Sequence, residues 1–337
     1  MINEILIYSI VSFLGLFIFS KISYKLNLLD IPNKRKKHSE STAYTGGLII
    51  SFIYIASILI FNVKNQTLNS ILTIGLLISI VGFIDDKYQL GISGKLSLQI
   101  IPIIYLIIIE SLNLTQLGSY NNFNLELNSF SMPFTLLAAM FLINAFNYFD
   151  GLDGTLSFTV ISVIIILYFL SSDQNIKLFL VILLLPLLIF LFFNFSIFKL
   201  PKLFLGDSGS LLLGFIISFI LIYLANKNWI HPILLAWSIV IFVYEFLSIN
   251  LIRIGAKKDP FKAGQDHLHH ILFENTKSIF LTNLYIFSMN IILFMIGYFS
   301  FLLISPLASL IVFVLFFIIF LILRNKYSKK KVKIKIN

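Results

Sequence analysis

The chain of 337 residues contains no cysteine, which excludes disulfides, thiolate metal sites and a cysteine nucleophile together. Charge is the second scarcity. Only 12% of the residues are Asp, Glu, Lys or Arg, about half the 25% of an ordinary soluble domain. Acids are scarcer than bases, 15 against 25. The first apolar run, MINEILIYSIV, lacks a basic n-region and a small-x-small cleavage signal, so it reads as a retained span rather than a signal peptide. The chain also lacks a fixed-period repeat and the paired interrupted helices of an inverted-repeat transporter.

What is abundant is apolar: 58% hydrophobic residues with 36 Phe, and a mean hydropathy of +0.97. No water-soluble core of this size hides so much, because too much of a small globule faces solvent. The solvent is a bilayer. At roughly 20 residues per span, apolar runs at 3–20, 45–62, 68–84, 96–110, 132–149, 155–171, 177–198, 210–225, 231–250, 280–304 and 306–324 predict an all-α integral membrane protein of about eleven transmembrane helices. Residues 1–325 form one polytopic domain and 326–337 a basic tail. The fourth and eighth runs are short, which suggests tilt or an interfacial position.

Threaded through these spans, every Lys and Arg except Lys64, Lys177 and Lys227 falls on one side. The positive-inside rule makes that side cytoplasmic, with the N-terminus outside and the C-terminus inside. The +10 formal charge is thus a topology signal: the partners it implies are membrane lipids, not nucleic acid. His231, beside Pro232 on the opposite side, reads as structural.

The acids and histidines share the basic side. GFIDDKY ends an apolar helix with Asp85 and Asp86. Neighbouring helical residues point about 100° apart, so the two chelate as a pair only if the helix ends there, as Gly91 and Gly94 suggest. Such a pair suits a divalent cation or a phosphate proton. NAFNYFDGLDG places Asn144, Asn147, Asp150 and Asp153 three apart, so that neighbours share a face; capping of the adjoining helices is the structural alternative. In LFLGDSGS, Asp207 is a hard oxygen donor beside Ser208, Gly209 and Ser210, whose amides open a helix. That pattern is either an anion site next to a cation ligand or an ordinary N-cap. In DPFKAGQDHLHHIL, Asp266, His267, His269 and His270 lack a clear fourth zinc ligand. With Arg253, Lys257, Lys258 and Lys262 nearby, the loop favours phosphate or sugar contacts over zinc. Together these clusters suggest Mg²⁺-dependent phosphoryl transfer between a soluble nucleotide and a lipid.

These motifs resemble the polyprenyl-phosphate N-acetylhexosamine-1-phosphate transferases (glycosyltransferase family 4) from about residue 28 to 275. LLDIPNKRKKHSESTAYTGG is similar to the family's first loop, D-x-P-N-x-R-K-x-H followed by P-T-P-x-x-G-G. GFIDDKY, NAFNYFDGLDG, FLGDSGS and DHLHH follow in the family's order. DHLHH looks more like the N-acetylglucosamine-1-phosphate branch than the muramoyl-pentapeptide branch, which usually carries three successive histidines. The resemblance implies transfer of a HexNAc 1-phosphate, GlcNAc-1-phosphate first among them, from a UDP-sugar to undecaprenyl or another polyprenyl phosphate. UMP is released, Mg²⁺ is the cofactor with Mn²⁺ able to replace it, and the enzyme is a multi-pass protein of the bacterial inner membrane with a cytoplasmic active site. A homodimer is compatible with this reading.

Carried over by motif, the resemblance makes Asp207 the principal Mg²⁺ ligand with Asp86 beside it, and Asp85 the group that activates the lipid phosphate. It gives Asp150 and Asp153 to the nucleotide and Phe204 to uracil stacking. His267, His269 and His270 with Arg253 would contact diphosphate or sugar, His269 counting among the catalytic set. His38, Thr42, Gly46, Asn144 and Asn147 complete the substrate site. The chain departs from the family at Ser41 and Ala43, which stand where prolines are common, and in a longer connection between Asn194 and Phe204. The alternatives are a polytopic transporter or lipid flippase, whose acids would lie nearer the bilayer midplane, and a CDP-alcohol phosphotransferase, whose motif arginine DGLDGTLS lacks. An inactive scaffold would tolerate loss of the acids.

Overall fold

The computed structural model describes residues 2–31, 41–259, 264 and 266–336. In chain order the elements are α1 (Ile2–Lys25), β1 (Leu29–Asp30), β2 (Thr42–Ala43), α2 (Gly46–Phe61), α3 (Gln66–Tyr88), α4 (Ile92–Ile108), β3 (Gln116–Tyr120), β4 (Phe123–Glu126), α5 (Ser131–Phe149), α6 (Thr155–Leu170), α7 (Gln174–Asn194), α8 (Gly206–Asn226), α9 (Pro232–Ser238), α10 (Val240–Gly255), α11 (Leu268–Thr276), α12 (Ile279–Leu303) and α13 (Pro306–Ile336). The protein is an all-α membrane protein, and each of the eleven expected runs is helical. Among the described residues seven helices are long and apolar enough to cross a bilayer, or eight when α9 and α10 count as one span. Three more, α2, α4 and α6, are apolar but shorter.

Two sequence expectations need correction. The run at 210–225 is not interfacial: α8 starts earlier, at Gly206, and its span is wholly buried inside the bundle, whereas only 11% of the α13 span is. A helix apolar all round has no polar face to offer water or headgroups and packs at the centre. The run at 231–250 is a broken span, bent by 75° between α9 and α10. His231 caps α9 by accepting from the Ile233 amide at 3.2 Å. Between α4 and α5, β3 and β4 form an antiparallel hairpin.

Small residues let α2 and α3 press their backbones onto α8. A Cβ on Gly47 would sit 1.9 Å from the Gly209 nitrogen, and one on Gly82 would sit 2.3 Å from the Asp207 carbonyl oxygen. Lipid gives apolar helices no reason to leave it, so close van der Waals approach of this kind carries helix association in a bilayer. It also fixes the N-terminus of α8 against the C-terminal turn of α3, where the acids are.

Candidate active site

Helix direction gathers the motifs at one end of the bundle, where α1, α3, α5, α7 and α10 end and α2, α4, α6, α8 and α12 begin. A cavity of about 1760 Å³ opens there, lined by Asp85, Asp86, Asp150, Asp153 and Asp207. Thr42, Asn144, Asn147, Phe204 and His270 share the same wall. Gly46, Arg253, His267 and His269 stand behind it, and His38 lies outside the described residues.

Asp85 and Asp86 do not act as a chelating pair, because α3 continues through them to Tyr88. Their side chains diverge. Asp86 turns to α8 and accepts from the Asp207 amide at 3.1 Å and the Ser208 amide at 3.3 Å. The anion held by these helix-opening amides is therefore a carboxylate of the protein itself, placed where the helix dipole favours negative charge. Asp85 accepts from the Leu90 amide at 2.8 Å and pairs with Lys95 Nζ at 2.8 Å.

Lys95 is a residue that sequence reasoning missed. Its ammonium bridges Asp85 and Asp207 and lies 3.4 Å from Asn147 Oδ1. Asn147 in turn donates to Asp207 Oδ1 at 2.9 Å and to Ser210 Oγ at 2.8 Å, so one amide fixes the rotamer of the acid it touches. Asn144, one turn back, donates to Gln99 Oε1 at 3.1 Å and to the Met140 carbonyl at 2.7 Å. Its bonds join α4 to α5 at the cavity wall.

Asp150 caps α5 at the turn that leads to α6. Burial first, then the charges of Asp207 and Asp153, push its carboxyl up to about 8, as expected of an acid desolvated among acids. Asp153 pairs with Lys202 at 2.7 Å, and the Lys202 ammonium stands 5.3 Å from the centre of the Phe204 ring. The first loop is tied to the same strip of chain. The Phe204 amide donates to the Ala43 carbonyl at 2.8 Å, and the amides of Gly46 and Gly47 donate to the carbonyls of Phe204 and Leu205 at 3.0 and 2.8 Å. Asn194 steadies this strip by donating to the Leu203 carbonyl at 2.9 Å.

The histidines form a stacked group at the start of α11, with the His267 and His269 ring centres 5.6 Å apart and those of His269 and His270 4.3 Å apart. His269 is fully buried and lies against the turn after Asp150, since a Cβ on Gly151 would come within 2.2 Å of its Nε2. Arg253, expected on substrate, is buried and forks onto Asp266 at 3.2 and 2.7 Å. Burial works against the Asp266 charge, but the Arg253 guanidinium outweighs it and holds that carboxyl below its usual range.

Among the described residues no three His, Asp or Glu side chains gather in metal-holding geometry. The donor chemistry nevertheless fits a hard dication: oxygens of Asp85, Asp207 and Asn147 already surround one cation, the Lys95 ammonium. Hard oxygen donors of this kind suit Mg²⁺ rather than zinc. Asp86, expected as a second ligand, has an oxygen on each of two backbone amides.

A bundle that keeps its acids at one helix-lined mouth has the build of a membrane-embedded transferase. The sequence model of glycosyl transferase family 4 matches residues 68–225, from the first turn of α3 to the end of α8. The chain is 27% identical over 279 residues, 81% of this chain and 76% of the relative, to the undecaprenyl-phosphate alpha-N-acetylglucosaminyl 1-phosphate transferase of Yersinia pestis. The protein of the same name from Escherichia coli strain K12 is 27% identical over 278 residues, 78% and 74% of the two chains. A probable undecaprenyl-phosphate N-acetylglucosaminyl 1-phosphate transferase of Bacillus subtilis is 29% identical over 262 residues, 76% and 72%.

Proposed function

We propose that the protein transfers N-acetylglucosamine 1-phosphate from UDP-N-acetylglucosamine to undecaprenyl phosphate, releasing UMP, at the cytoplasmic face of a bacterial plasma membrane. The observation that carries the reading is the convergence of Asp85, Asp207, Asn147 and Lys95 at the wall of one cavity at one end of the bundle. In the reaction an oxygen of the lipid phosphate attacks the sugar-bearing phosphorus of the donor, and the bond from that phosphorus to the UMP oxygen breaks. Mg²⁺, when bound, would neutralise diphosphate charge and make the phosphorus a better electrophile; Asp207, Asp85 and Asn147 are the residues to hold it.

The chain's own groups do the positioning. Asp85 is placed to take the remaining proton of a singly ionised lipid phosphate, held in place by the Leu90 amide. Lys95 moves its ammonium from two carboxylates to incoming phosphate oxygens, and Asn147 holds the Asp207 rotamer throughout. Asp150, neutral near pH 7, can donate a hydrogen bond where an ionised acid would repel a phosphate. Phe204 offers a ring face for uracil, flanked by the Lys202–Asp153 pair.

The transporter alternative places acids near the midplane; here they stand at helix ends. The test is the purified full chain with undecaprenyl phosphate, Mg²⁺ and a panel of UDP-GlcNAc, UDP-GalNAc and 6-deoxy-HexNAc donors. UDP-GlcNAc should give the highest kcat/KM, and a preference for another donor would reassign the sugar.

A further inference from the structure

The sequence reading uses Arg324 only as one of the basic residues that set the topology, yet its side chain is buried, 7% exposed. It meets Glu245, a lone acid in the apolar run of α10 that is 1% exposed. One Arg324 terminal nitrogen donates both to Glu245 Oε1 at 2.7 Å and to the Asp266 carbonyl at 2.7 Å. Glu245 Oε1 also accepts the Leu268 amide at 2.9 Å, the first amide of α11, and lies 3.5 Å from His267 Nδ1. Asp266 is gripped from its other end by Arg253. Two buried arginines and one buried glutamate from α10 and α13 therefore hold the three residues Asp266, His267 and Leu268, immediately before His269 and His270.

Burying this many charges is costly unless each is paired, and apolar residues would join α10 to α13 more cheaply. Directional bonds to the Asp266 carbonyl and the Leu268 amide set something apolar packing cannot: the height and rotation of the histidine loop over the cavity. His269 touches the Asp150–Gly151 turn and His270 reaches the cavity wall, so a loop displaced by one bond length would miss both. We propose that Arg324, through Glu245, is a positioning residue for the histidine loop, and that α13, which lies beyond the segment matched by the family model, thereby tunes the active site. The kinetic part rests on the proposed transferase reaction; the structural part does not.

The experiment joins amide hydrogen exchange to kinetics on the full-length protein in detergent, comparing wild type with Arg324→Gln, Arg324→Lys and Glu245→Gln. Exchange in 266–271 should rise at least about tenfold in Arg324→Gln and Glu245→Gln, with α8 unchanged, and Arg324→Lys should restore part of the protection. The kcat of Arg324→Gln should fall about tenfold or more. Adding His270→Ala to it should cost little beyond His270→Ala alone, because both changes disable one element. Unchanged exchange in 266–271, or fully additive kinetic losses, would overturn the inference. If Arg324→Gln does not survive purification, the milder Arg324→Lys and Glu245→Gln carry the same comparison. A wild-type protein that releases no UMP would overturn the transferase reading and leave the exchange result to decide the positioning role by itself.

Discussion

The two ends of the bundle are held by different chemistry. At the end opposite the cavity many of the polar contacts between elements join neutral groups: Asn65 to the Tyr223 hydroxyl at 2.9 Å, Gln116 to Asn228 at 2.6 Å, and Asn226 to the Asn113 carbonyl at 3.0 Å, and where a carboxylate takes part, as Glu110 does, its partner is the neutral Ser70 hydroxyl at 2.7 Å. His231 is drawn the same way, its Nε2 3.1 Å from the Ser119 carbonyl oxygen. At the cavity end the bonds are charged and shared, with Lys95, Lys202, Arg253 and Arg324 each set on an acid. Neutral amide pairs close a helix end at small desolvation cost. Ion pairs at a half-buried mouth are a poor choice for stability alone. They make sense where charge must be redistributed when an anionic substrate arrives.

If that contrast is right, substitutions should separate activity from stability according to the end they touch. The largest effect belongs to Asp207→Asn and Asp85→Asn, each expected to lower UMP release by about 10²-fold or more, the scale of losing an electrostatic or proton-transfer group, with detergent elution unchanged. Lys95→Met comes next. It leaves Asp85 and Asp207 facing each other unpaired, and kcat/KM should fall by about 10- to 100-fold, checked by initial rates over a donor concentration series.

A smaller effect is read in pH. The Asp150 carboxyl is raised to about 8 from the usual 3.8. Across that window the folded protein holds a proton the unfolded chain has lost, so stability falls as pH rises and is lowest above about 8. Asp150→Asn removes the dependence. In metal-free buffer its melting temperature should gain on wild type steadily from pH 5 to 8 and level off beyond; a constant difference would contradict the assignment. The smallest functional effect is expected at the far end. Asn65→Ala deletes the cap on α3, the Leu68 amide bond at 3.1 Å, and should cost about 1 kcal/mol of stability with UMP release within about twofold of wild type.

Much of the site was legible because its parts are polar residues stranded at the ends of apolar runs, where a bilayer tolerates them only for a reason. Asp85, Asp150, Asp153 and Asp207 stand out in that way, and the alternation of spans brings them to one end. The pairings were not legible. That Asp86 caps α8 depends on how closely α3 approaches it at Gly82, a packing fact with no local pattern. Lys95 sits in the first turn of α4 and resembles any interfacial lysine, so it was counted for topology alone. Arg324 was hidden in the same way among the basic residues of the last helix. Glu245 did carry a signal, a single acid inside VIFVYEFLSIN, and that signal went unread. The break between α9 and α10 left no glycine or proline at the joint to announce it.

The central claim is that a sugar phosphate, not a sugar, moves to the lipid, and the nucleotide released identifies the bond that breaks. Purified protein incubated with UDP-N-acetylglucosamine, undecaprenyl phosphate and Mg²⁺, with nucleotides and lipids quantified by mass spectrometry, should yield UMP and an undecaprenyl diphosphate-linked sugar in equal amounts. Release of UDP with a monophosphate-linked lipid, or no nucleotide release with wild-type protein, would contradict it.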